Sequence, residues 1–227
     1  MLFFSQYDIL LIPAFILSIW AQWAVNSAYK KYSGIRGERG ISGAEAAKRI
    51  LSAAGVSGVS VKHIGGNLTD NYNPVNNSLN LSDGVYDSAS VAAVGIAAHE
   101  AGHAIQHAKS YLGIKLRNLI LPVAQISSTA AMPLFLLGLV LSFGVLVDIG
   151  ILLFAGAVLF QVVTLPVEFN ASRRAVKAIE SADILSNEEL RGAKKVLKAA
   201  AMTYVAAAAV SALQLIRLIA ISGRRRR

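Results

Sequence analysis

The sequence predicts a mainly α-helical, multi-pass membrane protein that also carries a small α+β part. Of the 227 residues, 55% are hydrophobic and 15% are charged, which is more apolar than a soluble domain of this length needs to be. Four apolar runs are long enough to cross a bilayer, at residues 9–25, 119–143, 145–167 and 200–221. Most of the polar sequence lies between them, at residues 26–117 and 168–199. We therefore expect a single membrane-embedded domain over residues 1–227.

The ends and connections of the apolar runs support this interpretation. The first run has no basic residue before it and no small-residue cleavage site after it, which predicts a retained anchor and not a removed signal. The second and third runs are joined so tightly that they must form a hairpin of helices. Pro122, Pro133 and Pro166 lie inside or at the ends of these runs, where neighbouring helices can satisfy the freed carbonyls. We expect kinks there and not breaks.

The polar segment at 26–117 predicts the α+β part. A helix is expected at residues 44–54, because Ser42 and Glu45 have the spacing of a capping box and Gly55 is a typical terminator. Two short strands are expected at residues 59–64 and 78–81, around a loop rich in turn-forming residues, so a small sheet or hairpin is predicted. In the second polar segment, Ser186 and Glu189 form another capping box ahead of a helix.

A further helix is predicted at residues 88–110, and it contains the most informative motif of the chain, His99-Glu100-Ala101-Gly102-His103. Imidazoles four residues apart project from one helical face and can ligate the same metal ion, while Glu100 is placed to act as the general base of a zinc hydrolase. The alternative is a surface helix with incidental His and Glu residues. The uncharged first half of the helix, residues 91–98, argues against that alternative because it must be buried.

A catalytic zinc site needs a third protein ligand, and the absence of cysteine restricts it to His, Asp or Glu. A metzincin would need His at the position of Lys109, so that class is excluded. Glu168 is the best candidate, because two membrane spans separate it from His103 and an even number of crossings returns the chain to the same side. Ala171, one turn further on, would permit close helix packing. No comparable context is found for Asp83, Asp87 or Glu180, and Asp148 falls on the opposite side of the membrane.

Four further residues are candidates for contact with a ligand residue or with the substrate. His107 lies one turn beyond the motif on the same face, and the alternative is an ordinary polar residue at a helix end. Arg173 and Arg174 lie one turn past Glu168, where a cation would stabilise a developing oxyanion. The alternative for both is the usual positive flanking of a membrane helix. Asn170 lies between them and the carboxylate ligand and is grouped with them.

The formal charge of +9 does not indicate a nucleic-acid partner, because the basic residues cluster beside apolar runs without interleaved aromatic residues. The lipid bilayer is the expected partner. Ten Lys or Arg residues lie within 26–117 and seven within 168–198, whereas the turn near Val147 has none. The positive-inside rule therefore predicts a cell-membrane protein whose site faces the cytoplasm. The basic tail at 224–227 contradicts this, since a fourth span would deliver it outside. Either the last apolar run does not cross the membrane fully, or the 17 basic residues of the two polar segments outweigh the tail.

The motif, followed after a membrane hairpin by Glu168-Phe169-Asn170-Ala171-Ser172, resembles the gluzincin arrangement of the HtpX and CAAX prenyl protease clan. Those proteins carry E-x-x-A-D, and Ser172 occupies the Asp position, so the clan's orienting carboxylate cannot be transferred to this chain. Over nearly its whole length the chain more closely resembles the YugP-type membrane zinc metallopeptidase family. Asn71 and Asn73 depart from that family's pattern of His and Asp. The matching residues are Leu68-Thr69-Asp70, Tyr72, Pro74, Leu81-Ser82 and Ser90 through His107.

This resemblance implies a gluzincin-like catalytic part and a bacterial-type inner or plasma membrane protease. Together with the motif it predicts a zinc-dependent endopeptidase that binds one Zn²⁺ ion per chain through His99, His103 and Glu168. The predicted substrates are peptides or membrane proteins cut near the cytoplasmic interface, and either predicted strand, 59–64 or 78–81, would offer an edge to an extended peptide. The sequence leaves the oligomeric state open.

Two alternative functions stay open at this point: a catalytically inactive, metal-stabilised membrane adaptor, and a zinc hydrolase of a non-peptide amide. An intact Glu100 argues against the adaptor, because a purely structural site has no need of a base. A transporter is less well supported, because Asp148 and Arg217 are the main charged residues within the spans and have no obvious partner at midplane.

Overall fold

The computed structural model describes residues 6–225 and is mainly helical, as the sequence predicted. A short 3₁₀ helix, Gln6–Leu10, precedes six α-helices and three β-strands. In chain order these elements are α1 (Leu11–Ser33), α2 (Gly43–Ala53), β1 (Ser60–His63), β2 (Asn71–Asn73), β3 (Ser78–Leu81), α3 (Val91–Ala108), α4 (Leu112–Val140), α5 (Gly144–Ser181) and α6 (Asn187–Arg225).

Four helices are long and apolar enough to cross a membrane, which confirms the predicted number of spans. They are Tyr7–Ser33, Leu112–Val140, Gly144–Ser181 and Asn187–Gly223. Helices α5 and α6 extend well beyond the predicted apolar runs, because helical hydrogen bonding does not stop where the sequence turns polar. Pro122, Pro133 and Pro166 lie inside continuous helices, so the prediction that none of them breaks its helix is confirmed. One consequence for the site is that Glu168 lies on the same uninterrupted helix as a membrane span.

The chain forms two compact units, which are described separately. Among the described residues, the first unit consists of 6–22, 116–166 and 203–225 and holds the greater part of the apolar sequence. Large apolar side chains are exposed on its helices, among them Ile19 at 70%, Leu119 at 77% and Leu152 at 72%. Such a surface suits contact with lipid and not with water. Its interior includes a cluster of Phe135, Val147 and Leu218.

Within this first unit α4 and α5 form the predicted hairpin, joined by residues 141–143. Glycine allows their backbones to approach closely. A Cβ on Gly138 would lie 2.6 Å from the Val147 nitrogen, and a Cβ on Gly150 would lie 2.7 Å from the Phe135 nitrogen. Small residues at a helix contact are the usual means of packing in lipid, where no hydrophobic force brings helices together.

The first unit also contains an ion pair between its N-terminal and C-terminal segments. Arg217 Nε donates to Asp8 Oδ1 at 2.5 Å, with side chains that are 19% and 25% exposed. The expectation that Arg217 has no partner was wrong, because its acid comes from the opposite end of the chain, 209 residues away. Pairing is the ordinary way in which a charge within an apolar span is tolerated.

The second unit consists of residues 23–115 and 167–202 and contains the sheet. The strand order is β1-β3-β2, with β1 parallel and β2 antiparallel to β3. Both predicted strands are therefore confirmed, but Asn71–Asn73, expected to be part of a loop, is a third strand. The proposal that the strand at 78–81 offers a free edge is wrong, because β3 is central and pairs on both sides. The edges belong to β1 and β2.

Each of the two predicted capping boxes is half formed. Ser42 accepts from the Glu45 nitrogen at 3.3 Å, but the Glu45 carboxylate turns outward to Arg49 at 2.8 Å. At the start of α6 the other hydrogen bond of the capping box is formed, because Glu189 accepts from the Ser186 nitrogen at 2.8 Å. The Ser186 hydroxyl has no hydrogen-bond partner in the described structure. Both helices nevertheless begin where the pattern predicted.

Candidate metal centre

Helix α3 places the His-Glu motif in the core of the second unit. Ser90 caps the helix by accepting from the Ala93 nitrogen at 3.2 Å. The following residues, 91–98, are buried except for a partly exposed Ile96, which confirms the expectation drawn from their lack of charge. The motif therefore lies in the second half of a helix whose first half is anchored among apolar side chains.

Gly102 allows α3 to approach α5 at the level of the motif. A Cβ at this position would lie 2.6 Å from the Ala171 carbonyl oxygen and 3.2 Å from its carbonyl carbon. Ala171 is itself fully buried, and the expectation that its small side chain permits close helix packing is confirmed. This contact holds the two imidazoles of α3 close to the carboxylate of Glu168, which precedes Ala171 by one turn.

The structure brings together the three residues that the sequence named as metal ligands. Glu168 Oε2 lies 3.3 Å from His99 Nε2 and 3.4 Å from His103 Nε2. All three potential ligand atoms lie within 4.8 Å of one another. The Glu168 side chain is 3% exposed, and the two histidine side chains are 15% and 10% exposed. The imidazole rings meet edge to face at 86° with centroids 4.8 Å apart.

These distances fit a metal site better than a simple ion pair. A charge-assisted hydrogen bond between nitrogen and a carboxylate is usually about 2.7–2.9 Å long. A tetrahedral zinc site with bonds of about 2.0–2.1 Å instead places neighbouring ligand atoms about 3.3–3.4 Å apart. The two separations from Glu168 Oε2 have this length. Two imidazoles and one carboxylate also form the donor set of a catalytic zinc site, which leaves the fourth position open.

The comparison with known proteins agrees with this geometry. Residues 7–223 match the sequence profile of a family described as "Putative neutral zinc metallopeptidase". The chain belongs to this family. It is 47% identical over 212 residues to the "Putative membrane protease YugP" of Bacillus subtilis (strain 168), an alignment that covers 93% of this chain and 94% of that protein. No solved structure matches the chain. The family resemblance found in the sequence is thus confirmed.

The electrostatics of the metallopeptidase site favour a cation. Burial alone opposes the charged form of His103, but its hydrogen bond with Glu168 and the nearby negative charges of Glu100 and Glu168 outweigh that effect. The pKa of His103 is therefore raised above its ordinary value. The same negative field that stabilises a protonated imidazole would stabilise a divalent metal ion at this position.

The second nitrogen of each imidazole contacts a neutral side chain. His99 Nδ1 lies 3.1 Å from the Ser172 hydroxyl, and His103 Nδ1 lies 3.1 Å from Gln106 Oε1. Ser172 therefore contacts His99 from one turn beyond Glu168 on α5. Metal-binding histidines usually make such a contact, which fixes the orientation of the ring.

The remaining candidates from the sequence lie around this centre in different ways. Glu100 is half-buried and makes no hydrogen bond or ion pair with any residue between 6 and 225. Arg174 Nε donates to Asn170 Oδ1 at 2.7 Å, and its guanidinium lies over the Tyr111 ring at 5.9 Å. Arg173 is exposed.

His107 is paired with the edge strand of the sheet. Its Nδ1 lies 3.0 Å from the Tyr72 hydroxyl, which also donates to Asn77 Oδ1 at 2.9 Å. His107 is thus connected to β2 and not to the Glu168 carboxylate. Neither Tyr72 nor Asn77 was singled out from the sequence as a partner, because β2 was not predicted.

Gln106 is the site residue that the sequence analysis missed. It is fully buried, it contacts His103, and its Nε2 donates to the Val167 carbonyl oxygen at 2.8 Å and to Asn170 Oδ1 at 3.0 Å. A signal was available, because an amide three residues after a metal-binding His, on an otherwise apolar stretch of helix, must be buried and therefore needs hydrogen-bond partners.

Proposed function

We propose that this chain is a zinc-dependent membrane endopeptidase that hydrolyses peptide bonds of peptides or membrane proteins near the cytoplasmic interface. The observation that carries the proposal is the separation of Glu168 Oε2 from the two histidine Nε2 atoms, 3.3 and 3.4 Å, which is the spacing of ligands around a tetrahedral zinc ion. In this proposal His99, His103 and Glu168 hold one Zn²⁺ ion per chain.

Glu100 is proposed to be the general base. Zinc, when bound, supplies a Lewis acid that polarises a carbonyl and lowers the pKa of water. The Glu100 carboxylate accepts a proton from the attacking water and then donates it to the nitrogen of the departing amine. Hydroxide adds to the carbonyl carbon, the C–N bond breaks, and an acid and an amine are released. In support, Glu100 follows a proposed ligand directly and forms no ion pair with a Lys or Arg residue in the described structure.

The cytoplasmic location is proposed from charge and from the number of spans. The segments that flank the site carry 17 Lys or Arg residues, which the positive-inside rule retains on the cytoplasmic side. Two of the four candidate membrane helices, α4 and α5, lie between these segments, and two crossings return the chain to the same side.

Substitution of the base and of the carboxylate ligand tests the proposal. We expect purified Glu100→Gln to retain one zinc ion per chain and to lose casein cleavage by about 10²–10⁴-fold, because the ligands are intact and the proton acceptor is gone. We expect Glu168→Ala to lose most of its zinc and its cleavage together. Glu180→Gln is a matched control, because Glu180 is an exposed carboxylate on the same helix.

The outcomes separate the competing functions. Full zinc content and normal cleavage in Glu168→Ala would refute the ligand assignment. A parent protein that binds zinc but cleaves no peptide would favour the metal-stabilised adaptor. A parent that cleaves only non-peptide amides would favour the other hydrolase, which the same three ligands permit.

A further inference from the structure

We propose that Gln106 is a positioning residue that fixes the tautomer and orientation of His103, so that the Nε2 lone pair of this histidine faces the metal position. This inference rests on the proposed zinc site but concerns a residue for which the catalytic scheme has no use. It is carried by a chain of four hydrogen bonds that connects α3 to α5, through His103, Gln106, Val167, Asn170 and Arg174.

The hydrogen bond of Arg174 admits a single assignment of its partner atom. Arg174 can only donate, so the Asn170 atom that it contacts at 2.7 Å must be the carbonyl oxygen. That oxygen can only accept, so the Gln106 atom 3.0 Å away must be the amide nitrogen. The backbone carbonyl of Val167, 2.8 Å from the same Gln106 atom, requires the amide nitrogen independently. These two contacts independently require the same orientation of the Gln106 amide. The shape of the amide group alone does not distinguish its oxygen from its nitrogen.

The orientation of Gln106 then determines the state of His103. Because both Nε2 hydrogens of Gln106 are used, its Oε1 faces His103 Nδ1 at 3.1 Å. An amide oxygen only accepts, so Nδ1 must carry the hydrogen. In the neutral imidazole this leaves the Nε2 lone pair free, and Nε2 is the atom that lies 3.4 Å from Glu168. Gln106 therefore selects the tautomer that a metal requires.

The other histidine is constrained less strongly. Its Nδ1 contacts the Ser172 hydroxyl, which can donate or accept by rotating its hydrogen, so it accommodates either tautomer. Gln106 is fully buried, whereas Ser172 is partly exposed. The contact of Gln106 with His103 therefore fixes the tautomer that a metal requires, whereas the contact of Ser172 with His99 does not. The partner of His103 is a neutral amide and not a carboxylate.

The test measures zinc affinity by competition with a chelator, together with the ligand-field spectrum of the Co²⁺-substituted protein. We expect Gln106→Leu, which keeps the volume and removes all three hydrogen bonds, to bind zinc about 10–100-fold more weakly and to change the Co²⁺ spectrum. Gln161→Leu is the matched control, since it removes a partly buried amide whose buried Oε1 has no hydrogen-bond partner in the described structure. It should match the parent in both measurements.

A second variant keeps the proposal testable if Gln106→Leu does not fold. Asn170→Ala removes the contact that ties Gln106 to Arg174 but leaves the Val167 bond, so we expect a smaller loss of zinc affinity and a normal metal-free melting temperature. Parent-like zinc affinity and Co²⁺ spectra in folded Gln106→Leu, or in Asn170→Ala, would overturn the inference while leaving the zinc site itself intact. Absence of zinc binding in the parent would instead refute the proposed function on which the inference rests.

Discussion

The close contact between Gly102 and Ala171 predicts that adding one methyl group at position 102 disrupts the metal site. In Gly102→Ala the added Cβ would lie 2.6 Å from the Ala171 carbonyl oxygen, whereas ordinary van der Waals contact begins near 3.4 Å. The two helices would have to separate locally by about 0.8 Å to relieve the clash. The obstacle is backbone and not a flexible side chain, so it cannot turn aside.

This displacement is large on the scale of metal coordination. His103 is the next residue after Gly102, and Glu168 precedes Ala171 by one turn of α5. Ligand distances must lie within about 0.2 Å of their ideal values for tight binding, so a separation several times larger should cost most of the zinc affinity. Overpacking of this kind also costs about 1–3 kcal/mol of stability.

The same substitution elsewhere on α3 provides the control. A Cβ on Gly95 would lie 3.4 Å from the Ala193 Cβ, an ordinary contact. Replacing a helical glycine by alanine gains up to about 1 kcal/mol of helix propensity, so Gly95→Ala should be neutral or slightly stabilising and should bind zinc normally. Zinc competition and thermal unfolding of the metal-free proteins in detergent distinguish the two variants. Parent-like zinc affinity in Gly102→Ala would refute the reasoning.

Three further predictions concern charge and hydrogen bonding around the site. The pKa of His103 is raised in the folded state, so protonated His103 should stabilise the metal-free protein. This stabilisation should be complete below the unfolded pKa near 6.5 and should be lost as the pH rises through the folded pKa. Thermal unfolding across this pH range measures the loss, with His103→Gln as the control. Ser172→Asp should tighten zinc binding by up to about tenfold, since a carboxylate partner raises the basicity of His99, and weaker binding in the competition assay would contradict this. The pKa of Asp83 is lowered by hydrogen bonds from the Gly66 nitrogen and from His63. Asp83→Asn should therefore reduce the melting temperature at neutral pH, and the difference from the parent should disappear as the pH falls. The zinc content of this variant should be unchanged.

The parts of the fold that follow from long patterns were predictable from the sequence. An apolar run of about 17 residues or more has few alternatives to a membrane helix, and four such runs were identified in the correct order. The pairing of the motif with Glu168 followed from the same patterns, because the number of crossings between two segments decides which carboxylates can reach the histidines. Asp148 was excluded on this ground.

The shorter features were not predictable to the same degree. Strand β2 consists of Asn71, Tyr72 and Asn73, and asparagine is typical of turns, so three residues carry no alternating pattern that would indicate a strand. It forms because its pairing with β3 is reinforced from outside the strand: Asn80 donates to Asn71 Oδ1 at 2.9 Å, and the Tyr72 hydroxyl contacts His107. Tertiary contacts outweigh local propensity here.

The orienting contacts of the metal site show why ligand prediction succeeds where prediction of ligand partners fails. A ligand must be one of a few residue types, and its approximate position follows from helix periodicity and membrane crossings. A partner such as Gln106 is determined by which atom of its amide faces which neighbour, and that depends on the close helix contact that Gly102 allows and on a carbonyl of another helix. The sequence contains all of these residues, but their relation exists only after α3 and α5 have packed. For this reason the atoms of Ser172 and Gln106 that face His99 and His103 could be assigned only in the fold, although the sequence indicated that Gln106 needs partners.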